Sequence, residues 1–410
     1  MAKSIRIKNF GPINIGFSDN DGFLEINKFT VFIGNQGSGK SSVTKLISTM
    51  SWIEKALYRG EIKESYVTNY NRFVKEYCNY QNLKNYFRED TEITYIGDAY
   101  KLEYKSGKFQ VSVFNTNNYK VPKIMYVPAE RNFLSAVDNP DKLKGLPKSL
   151  STFWEEMQRS LQELSSSISL PVGNARFEYD RSNKIPRIVG PSYRLRLSEA
   201  SSGFQSFVPL FLVSRNLTLS IDKKRDTSRN ELSSAEQRRL KSEIEKIINN
   251  NRLSDELKEA ALELLSSKYR NDSFLNIVEE IEQNLFPSSQ KDILFTLFEY
   301  ANQYEGNGLI LTTHSPYVIN FLSLAIQAGT LLQKIKRTNR QELLPRLNEI
   351  VPEKSCVNAE RVYIYQLTDD GAINKLPDYE GIPSDQNFLN QFLLEGNHLF
   401  DQLLEIEEEL

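Results

Sequence analysis

Residues 4–10 (SIRIKNF) alternate apolar and polar positions, and residues 23–33 (FLEINKFTVFI) do the same before closing on an apolar run. A period of two puts every second side chain on one face, so both segments predict strands. The second runs directly into Gly34-Asn35-Gln36-Gly37-Ser38-Gly39-Lys40-Ser41-Ser42, after which residues 43–57 carry apolar positions at helical spacing. The order is strand, glycine-rich loop, helix. From 60 to 122 the pattern is mixed: Tyr- and Asn-rich helical stretches, then alternating segments at 91–97, 101–107 and 109–115 that predict a small antiparallel sheet with glycine turns.

A short apolar strand is expected at 123–127, a helix over 150–168, and two strands within 175–196 separated by a Gly-Pro-Ser break. The apolar stretch 207–219 then gives way to 221–272, which is dense in charged and small polar residues. Apolar residues at helical spacing in 242–248 and 256–265 predict a helical hairpin inserted there, either a solvated excursion or a docking arm. Buried strands are predicted at 274–278 and 308–313. The end of the chain, 360–410, reads as a hairpin followed by an acidic helix.

Composition bounds the function. With 40% hydrophobic and 25% charged residues over 410 positions, the chain has the make-up of a globular protein with a sizeable core. A net charge of −2 provides no global basic field for nucleic acid. Cys78 and Cys356 are the two cysteines, which argues against a disulfide framework or a Cys-rich zinc site. No run of 18 apolar residues spans a bilayer and the opening residues lack a secretory signal, so a cytoplasmic chain with no membrane partner is expected.

The loop from Gly34 to Ser41 fits G-x-x-x-x-G-K-[ST] completely. Glycines let successive backbone N–H groups converge on phosphate oxygens, and the following helix turns its N-terminal dipole to the same charge. Lys40 is thus expected on the β- and γ-phosphates of ATP and the Ser41 hydroxyl on Mg²⁺. Phosphoryl transfer also needs acid at the end of another buried strand. Glu279 and Glu280 follow 274–278, Glu279 as the candidate metal ligand and Glu280 as the group that orients or deprotonates the attacking water. His314, one of two histidines, follows the strand 308–313 and is positioned to meet the γ-phosphate; His398 sits in the acidic tail and reads as ordinary surface.

Together these motifs resemble the ABC-type ATPases: Walker A, a double-Glu Walker B, the D-loop-like Glu282-Gln283-Asn284-Leu285 and a switch His314, in that order. The opening 7–13 (IKNFGPI) and the stretch 312–322 (TTHSPYVINFL) resemble in particular the SMC, RecF and OLD-like branch. The resemblance implies an α/β P-loop core sheet flanked by helices, with an antiparallel subdomain and a helical lobe. It divides the single ATPase domain into 1–130, 131–273 with the insertion 221–272, and 274–410. It also implies a signature motif that touches the ATP of a facing subunit. Ala200-Ser201-Ser202-Gly203-Phe204-Gln205 stands in its place, which puts Ser201 and the Gly203 backbone on the nucleotide in trans, although Ser202 replaces a glycine and Phe204 a Gln or Glu. Where the family often has a metal-sensing glutamine, this chain reads Tyr126-Val127-Pro128-Ala129-Glu130-Arg131, so Glu130 or Arg131 takes that place and Glu130 joins Ser41 and Glu279 as a candidate metal ligand.

OLD-type nucleases add a Toprim domain after the switch histidine. In this sequence fewer than about 100 residues follow it and Asp369-Asp370 and Glu395-Gly396 stand in the wrong order, so no such nuclease domain is expected. The expected function is an ATPase acting across head-to-tail subunits and gating a partner effector, as in the ATPase components of anti-phage systems such as Septu, PARIS and retron-linked modules. A RecF-like DNA-repair ATPase is the first alternative, with Lys223-Lys224-Arg225 and Arg238-Arg239 as its basic cluster; a transporter subunit is the second.

Overall fold

The structure is a computed structural model that describes residues 3–114, 116, 119–137, 140–221, 234–250 and 254–408. At its centre lies a seven-stranded sheet. Its order across the sheet is Gly16–Phe17, Ala372–Lys375, Val362–Leu367, Phe29–Gly34, Gly308–Thr313, Ser273–Val278 and Pro122–Val127. Every neighbouring pair is parallel except Val362–Leu367 with Ala372–Lys375. The strand leading into the glycine-rich loop is therefore central, and the strand that precedes His314 lies between it and the strand that precedes Glu279.

Both faces of this sheet are covered, which is why its strands read as near-continuous apolar runs. Phe29, Val31 and Ile33 point to one side, into a core built with the helices Ser202–Leu219, Pro287–Asn302 and Pro316–Arg337. Phe32 points to the other side, with Ile277, Ile310 and Tyr365, against the helix Lys40–Tyr58. That helix is capped in turn by a five-stranded antiparallel sheet ordered Leu24–Glu25, Ser4–Phe10, Phe87–Ile96, Tyr100–Lys105 and Lys108–Val113. Ile5, Ile7, Ile93, Tyr95 and Leu102 form its inner face. The helix Pro316–Arg337 is long and apolar enough to cross a membrane by composition, but here Val318, Ile319, Leu322 and Ile326 are buried in the main core.

Three boundaries differ from the sequence expectation. The strand expected over 23–33 is two strands in different sheets. Asn27 turns the chain, its N–H donating to Thr30 Oγ1 at 3.0 Å while that hydroxyl donates back to the Asn27 carbonyl at 3.0 Å, so the backbone leaves one sheet and enters the other. The helix expected over 150–168 runs Lys148–Glu163, stopping short of Ser165-Ser166-Ser167. Residues 175–196 hold three strands rather than two, Arg176–Asp180, Ile185–Val189 and Arg194–Arg196, joined by Ile168–Ser169 into a four-stranded sheet.

Within 221–272 lie two helices, Ser234–Ile248 and Asp255–Tyr269, whose Leu240, Ile244 and Ile247 pack on Leu265 and Tyr269. Their root is fastened to the far end of the helix Lys40–Tyr58 and the turn after it. Arg59 is buried and donates to the Tyr269 carbonyl at 3.2 Å and to Asn271 Oδ1 at 3.1 Å, and Arg239 pairs with Glu61 at 3.5 Å. Lys223-Lys224-Arg225 lies outside the described residues.

Candidate functional site

The glycine-rich loop bridges the central strand Phe29–Gly34 and the helix Lys40–Tyr58. Gly34 (φ +147°) and Gly39 (φ +103°) hold backbone conformations that side chains rarely adopt. Space excludes a side chain as well. A Cβ on Gly34 would meet the Leu367 carbonyl oxygen at 2.5 Å, and one on Gly39 would crowd Pro12 and Ile13 at 3.1–3.2 Å. The loop is thereby pressed against the sheet with Gln36 and Gly37 exposed at its tip. Asn35 is held from a distant part of the chain, its amide donating to Asp369 Oδ1 and Oδ2 at 3.1 and 3.0 Å. Ser38 and Ser42 are buried, and the Ser38 hydroxyl has no hydrogen-bond partner.

Lys40 curls back over this loop and donates to the Gly34 and Asn35 carbonyls, both at 2.8 Å. Burial brings its ammonium down to about 8, against the pull of Glu280, Glu282 and Glu279, which favour the charged form. Its Nζ also lies 3.5 Å from His314 Nδ1. On the far side of the imidazole, His314 Nε2 is 3.9 Å from Glu280 Oε1. Burial first, and Lys40 second, lower the histidine's pKa, which favours the neutral ring. Lysine, imidazole and carboxylate thus stand in sequence at the mouth of the loop.

Each member of this row is braced from behind. The backbone N–H of His314 donates to Glu282 Oε1 at 2.5 Å, and Thr313 Oγ1 donates to Glu282 Oε2 at 2.9 Å. Glu282 is half-buried, and desolvation raises its pKa while these donors counter the rise. Glu280 adopts φ +44°, a left-handed conformation costly for a residue with a Cβ. Two contacts hold it there: its N–H donates to Thr312 Oγ1 at 3.0 Å, and its carbonyl accepts from Arg131 Nη2 at 2.7 Å.

Arg131 is the largest fully buried side chain in the molecule's described part. Besides Glu280, its guanidinium donates to the carbonyls of Glu279 at 2.7 Å, Pro128 at 3.3 Å and Ser206 at 3.2 Å. Burial lowers its pKa to about 10, with Glu282, Glu280 and Glu279 opposing. Of the two residues weighed as substitutes for a metal-sensing glutamine, Arg131 is therefore turned inward onto backbone. Glu130 is exposed at the end of the strand Pro122–Val127.

The residues expected to hold Mg²⁺ present a suitable donor set. Glu279 is buried; its Oε2 accepts from the Ala129 N–H at 3.3 Å while Oε1 has no partner. An orphaned buried carboxylate oxygen beside a lysine and two further glutamates fits a hard cation, and Mg²⁺ commonly takes one or two carboxylates plus substrate phosphates. Ser41 is half-buried in the first turn of the helix that follows the loop.

Ser201 and Gly203 stand apart from this group. Ser201 precedes the helix Ser202–Leu219 and is exposed, with no side-chain cap to the helix. A Cβ on Gly203 would lie 3.0 Å from the Asn284 carbonyl, so this turn packs on the D-loop-like segment. Ser206 reinforces the contact, donating to Gln283 Oε1 at 3.2 Å. Among the described residues no hydrogen bond joins Ser201 or Gly203 to the glycine-rich loop of the same chain. Sequence reasoning missed Arg131 as a brace, Thr312, Glu282 as an anchor and Asp369. Only Arg131, three residues after the proline that ends an apolar strand, carried a local signal.

No protein-family model matches the chain, and no curated protein matches it in sequence. Among solved structures it is similar to an SMC head bound to the C-winged helix domain of ScpA, at 11% identity and TM-score 0.36 over 78% of this chain and 90% of that one. It is also similar to an SMC head domain with an extended coiled coil from Pyrococcus furiosus, at 9% identity and TM-score 0.36 over 98% of each chain. A dimeric ATP-binding cassette in a post-hydrolysis state, bound to ADP and Pi, gives 11% identity and TM-score 0.28 over 92% of this chain and 100% of that one. At such identities and scores the fold assignment rests on this chain's own parallel sheet and loop. It is an α/β P-loop NTPase fold, with the loop on the central strand and helices on both sheet faces.

Proposed function

We propose that this chain is an ATPase that works as a head-to-tail pair and uses its nucleotide state to gate a partner protein. The observation that carries the ATPase reading is the row Lys40, His314, Glu280, with spacings of 3.5 and 3.9 Å. ATP bound on the loop places its β- and γ-phosphates on the 34–42 backbone and Lys40. Mg²⁺, held by Ser41 and Glu279, would supply charge neutralisation between the phosphates. Glu280 accepts a proton from water, whose oxygen forms the new bond to the γ-phosphorus as the bond to the β-phosphate oxygen breaks. His314, neutral and half-buried, hydrogen-bonds the γ-phosphate and keeps the water in line.

Glu130 is exposed and open to solvent, which leaves it free to reach the metal's water shell when nucleotide is present. Pairing is supported by the exposure of Ser201, which among the described residues makes no hydrogen bond to its own chain's loop and is available to a second copy's ATP. A protein partner is supported by the helix Phe388–Glu408. It exposes Phe392, Leu393, Leu394, Leu399, Phe400 and Leu403 and carries no Lys or Arg, a surface suited to an apolar and basic protein face. The role in anti-phage defence rests on the motif resemblance alone.

The test is ATP hydrolysis by the purified chain across a concentration series, beside Glu280→Gln. Turnover that rises faster than linearly with protein, and is lost in the variant, supports composite sites with Glu280 as base. Normal hydrolysis by Glu280→Gln refutes the assignment.

A further inference from the structure

A cavity of about 500 Å³ lies on the flank of the helix Lys40–Tyr58, under the root of the helical insertion. It falls within the size range of small-molecule sites. Ser48 and Trp52 form part of its wall, two to three helical turns beyond Lys40, so the cavity is distinct from the P-loop mouth. Arg239 of the insertion is part of its lining.

Its lining is selective. Trp52, Tyr77 and Tyr80 supply aromatic faces, the first two with ring centroids 5.7 Å apart. Gln81 is only 3% exposed, lines the same space, and has its Oε1 without a hydrogen-bond partner. A buried amide oxygen left unpaired is costly unless a ligand donor meets it. The cations around the cavity are already engaged: Lys123 with Glu156 at 3.3 Å, Arg239 with Glu61 at 3.5 Å, and Lys55 with a partner of its own. A phosphate or carboxylate would have to break these pairs. An uncharged, planar ligand with a hydrogen-bond donor on its edge would not.

We propose that this cavity is a second, regulatory site for a free nucleoside, its base against the aromatic side chains and an edge donor on Gln81. The ring of Tyr126 forms part of the wall, and the Tyr126 hydroxyl is buried beside Thr44 and Glu279. Occupancy is thus adjacent both to the P-loop helix and to the carboxylate expected to hold the metal.

Trp52 reports on the site directly. In a chain carrying Trp154→Phe it is the sole tryptophan. With the P-loop saturated by Mg²⁺ and a non-hydrolysable ATP analogue, adenosine, guanosine, cytidine and uridine are titrated separately. At least one should quench Trp52 saturably. Gln81→Leu and, independently, Tyr77→Leu should weaken that nucleoside at least tenfold while each still binds the ATP analogue, which shows that both are folded. Three results overturn the proposal: no saturable quenching by any of the four, undiminished affinity in both folded variants, or quenching by a short single-stranded oligonucleotide but by no nucleoside.

Discussion

Replacing Arg131 by lysine keeps a buried positive charge but removes the planar fork that reaches four carbonyls at once. An ammonium on that stem satisfies one or two of them. Leaving two buried carbonyls without a charged donor costs about 1–3 kcal/mol each, partly offset by their second lone pairs, so unfolding free energy should fall by about 2–4 kcal/mol. The catalytic consequence is separate. Glu280 sits at φ +44°, a conformation that costs roughly 1–2 kcal/mol and is held on its carbonyl side by Arg131. Releasing that side shifts the backbone population by about 5–30-fold away from the active arrangement. The expected result for Arg131→Lys is a kcat lower by about 5–30-fold, with ATP affinity little changed because the guanidinium's hydrogen bonds go to Pro128, Ser206, Glu279 and Glu280 and not to residues 34–42. Steady-state turnover, fluorescent-nucleotide binding and urea unfolding measure the three quantities. A weakened nucleotide affinity with kcat intact would refute the reasoning, since the guanidinium would then serve the nucleotide and not Glu280.

Four further outcomes are expected. Lys40 has its pKa brought down to about 8 and must be charged to hold phosphate, so ATP binding near pH 8 should take up a proton, and affinity should fall as pH rises through 8. Calorimetry in buffers of different ionisation heat reads the uptake, and zero uptake at pH 8 contradicts the burial argument. The same depressed value means that unliganded stability gains from Lys40 as pH rises from about 8 towards 10.5, where the unfolded chain binds the extra proton; chemical denaturation of wild type against Lys40→Met isolates this term. Gly34→Ala places a Cβ 2.5 Å from the Leu367 carbonyl at φ +147°, and should cost about 1–3 kcal/mol and most nucleotide binding; binding at wild-type affinity would show that the loop relaxes freely. His314→Ala should lower kcat by about 10²-fold or more with ATP affinity within a few-fold, and a matched loss of affinity in equilibrium binding would reassign the ring to ground-state binding.

Much of the core sheet was legible because its strands bury both faces and announce themselves as apolar runs: 123–127, 274–278 and 308–313 all fall within observed strands. The loop from Gly34 to Ser41 was legible for a different reason, since its chemistry constrains consecutive positions. The split of 23–33 was not, because it turns on one hydroxyl, Thr30, closing on Asn27, and alternation continues through the turn. Asp369 was set aside as one half of an acidic pair out of place, yet it holds Asn35 across 334 positions of chain. Nothing local to either residue encodes that contact; it follows from Val362–Leu367 pairing in parallel beside the P-loop strand, which brings the turn after Leu367 to the loop.

The acidic pair shows how one site mixes both kinds of information. Two carboxylates after an apolar strand gave Glu279 as the candidate metal ligand and Glu280 as the candidate for the water, but nothing in the pair showed how the backbone sets them apart. The structure separates them by backbone conformation. Glu279 continues from its strand and stays buried with one oxygen unpaired, whereas Glu280 turns left-handed and leaves its carboxylate more than a third exposed, 3.9 Å from His314. That reversal is enforced by Thr312 from the neighbouring strand and by Arg131 from the short turn Ala129–Arg131 that follows the strand Pro122–Val127. Arg131 also holds the Ser206 carbonyl, on the helix that begins beside Ser201. A displacement of that helix would therefore pull on the same guanidinium that fixes Glu280. The link gives a physical route by which a second copy pressing on Ser201 could alter the geometry of the acidic pair without touching either carboxylate.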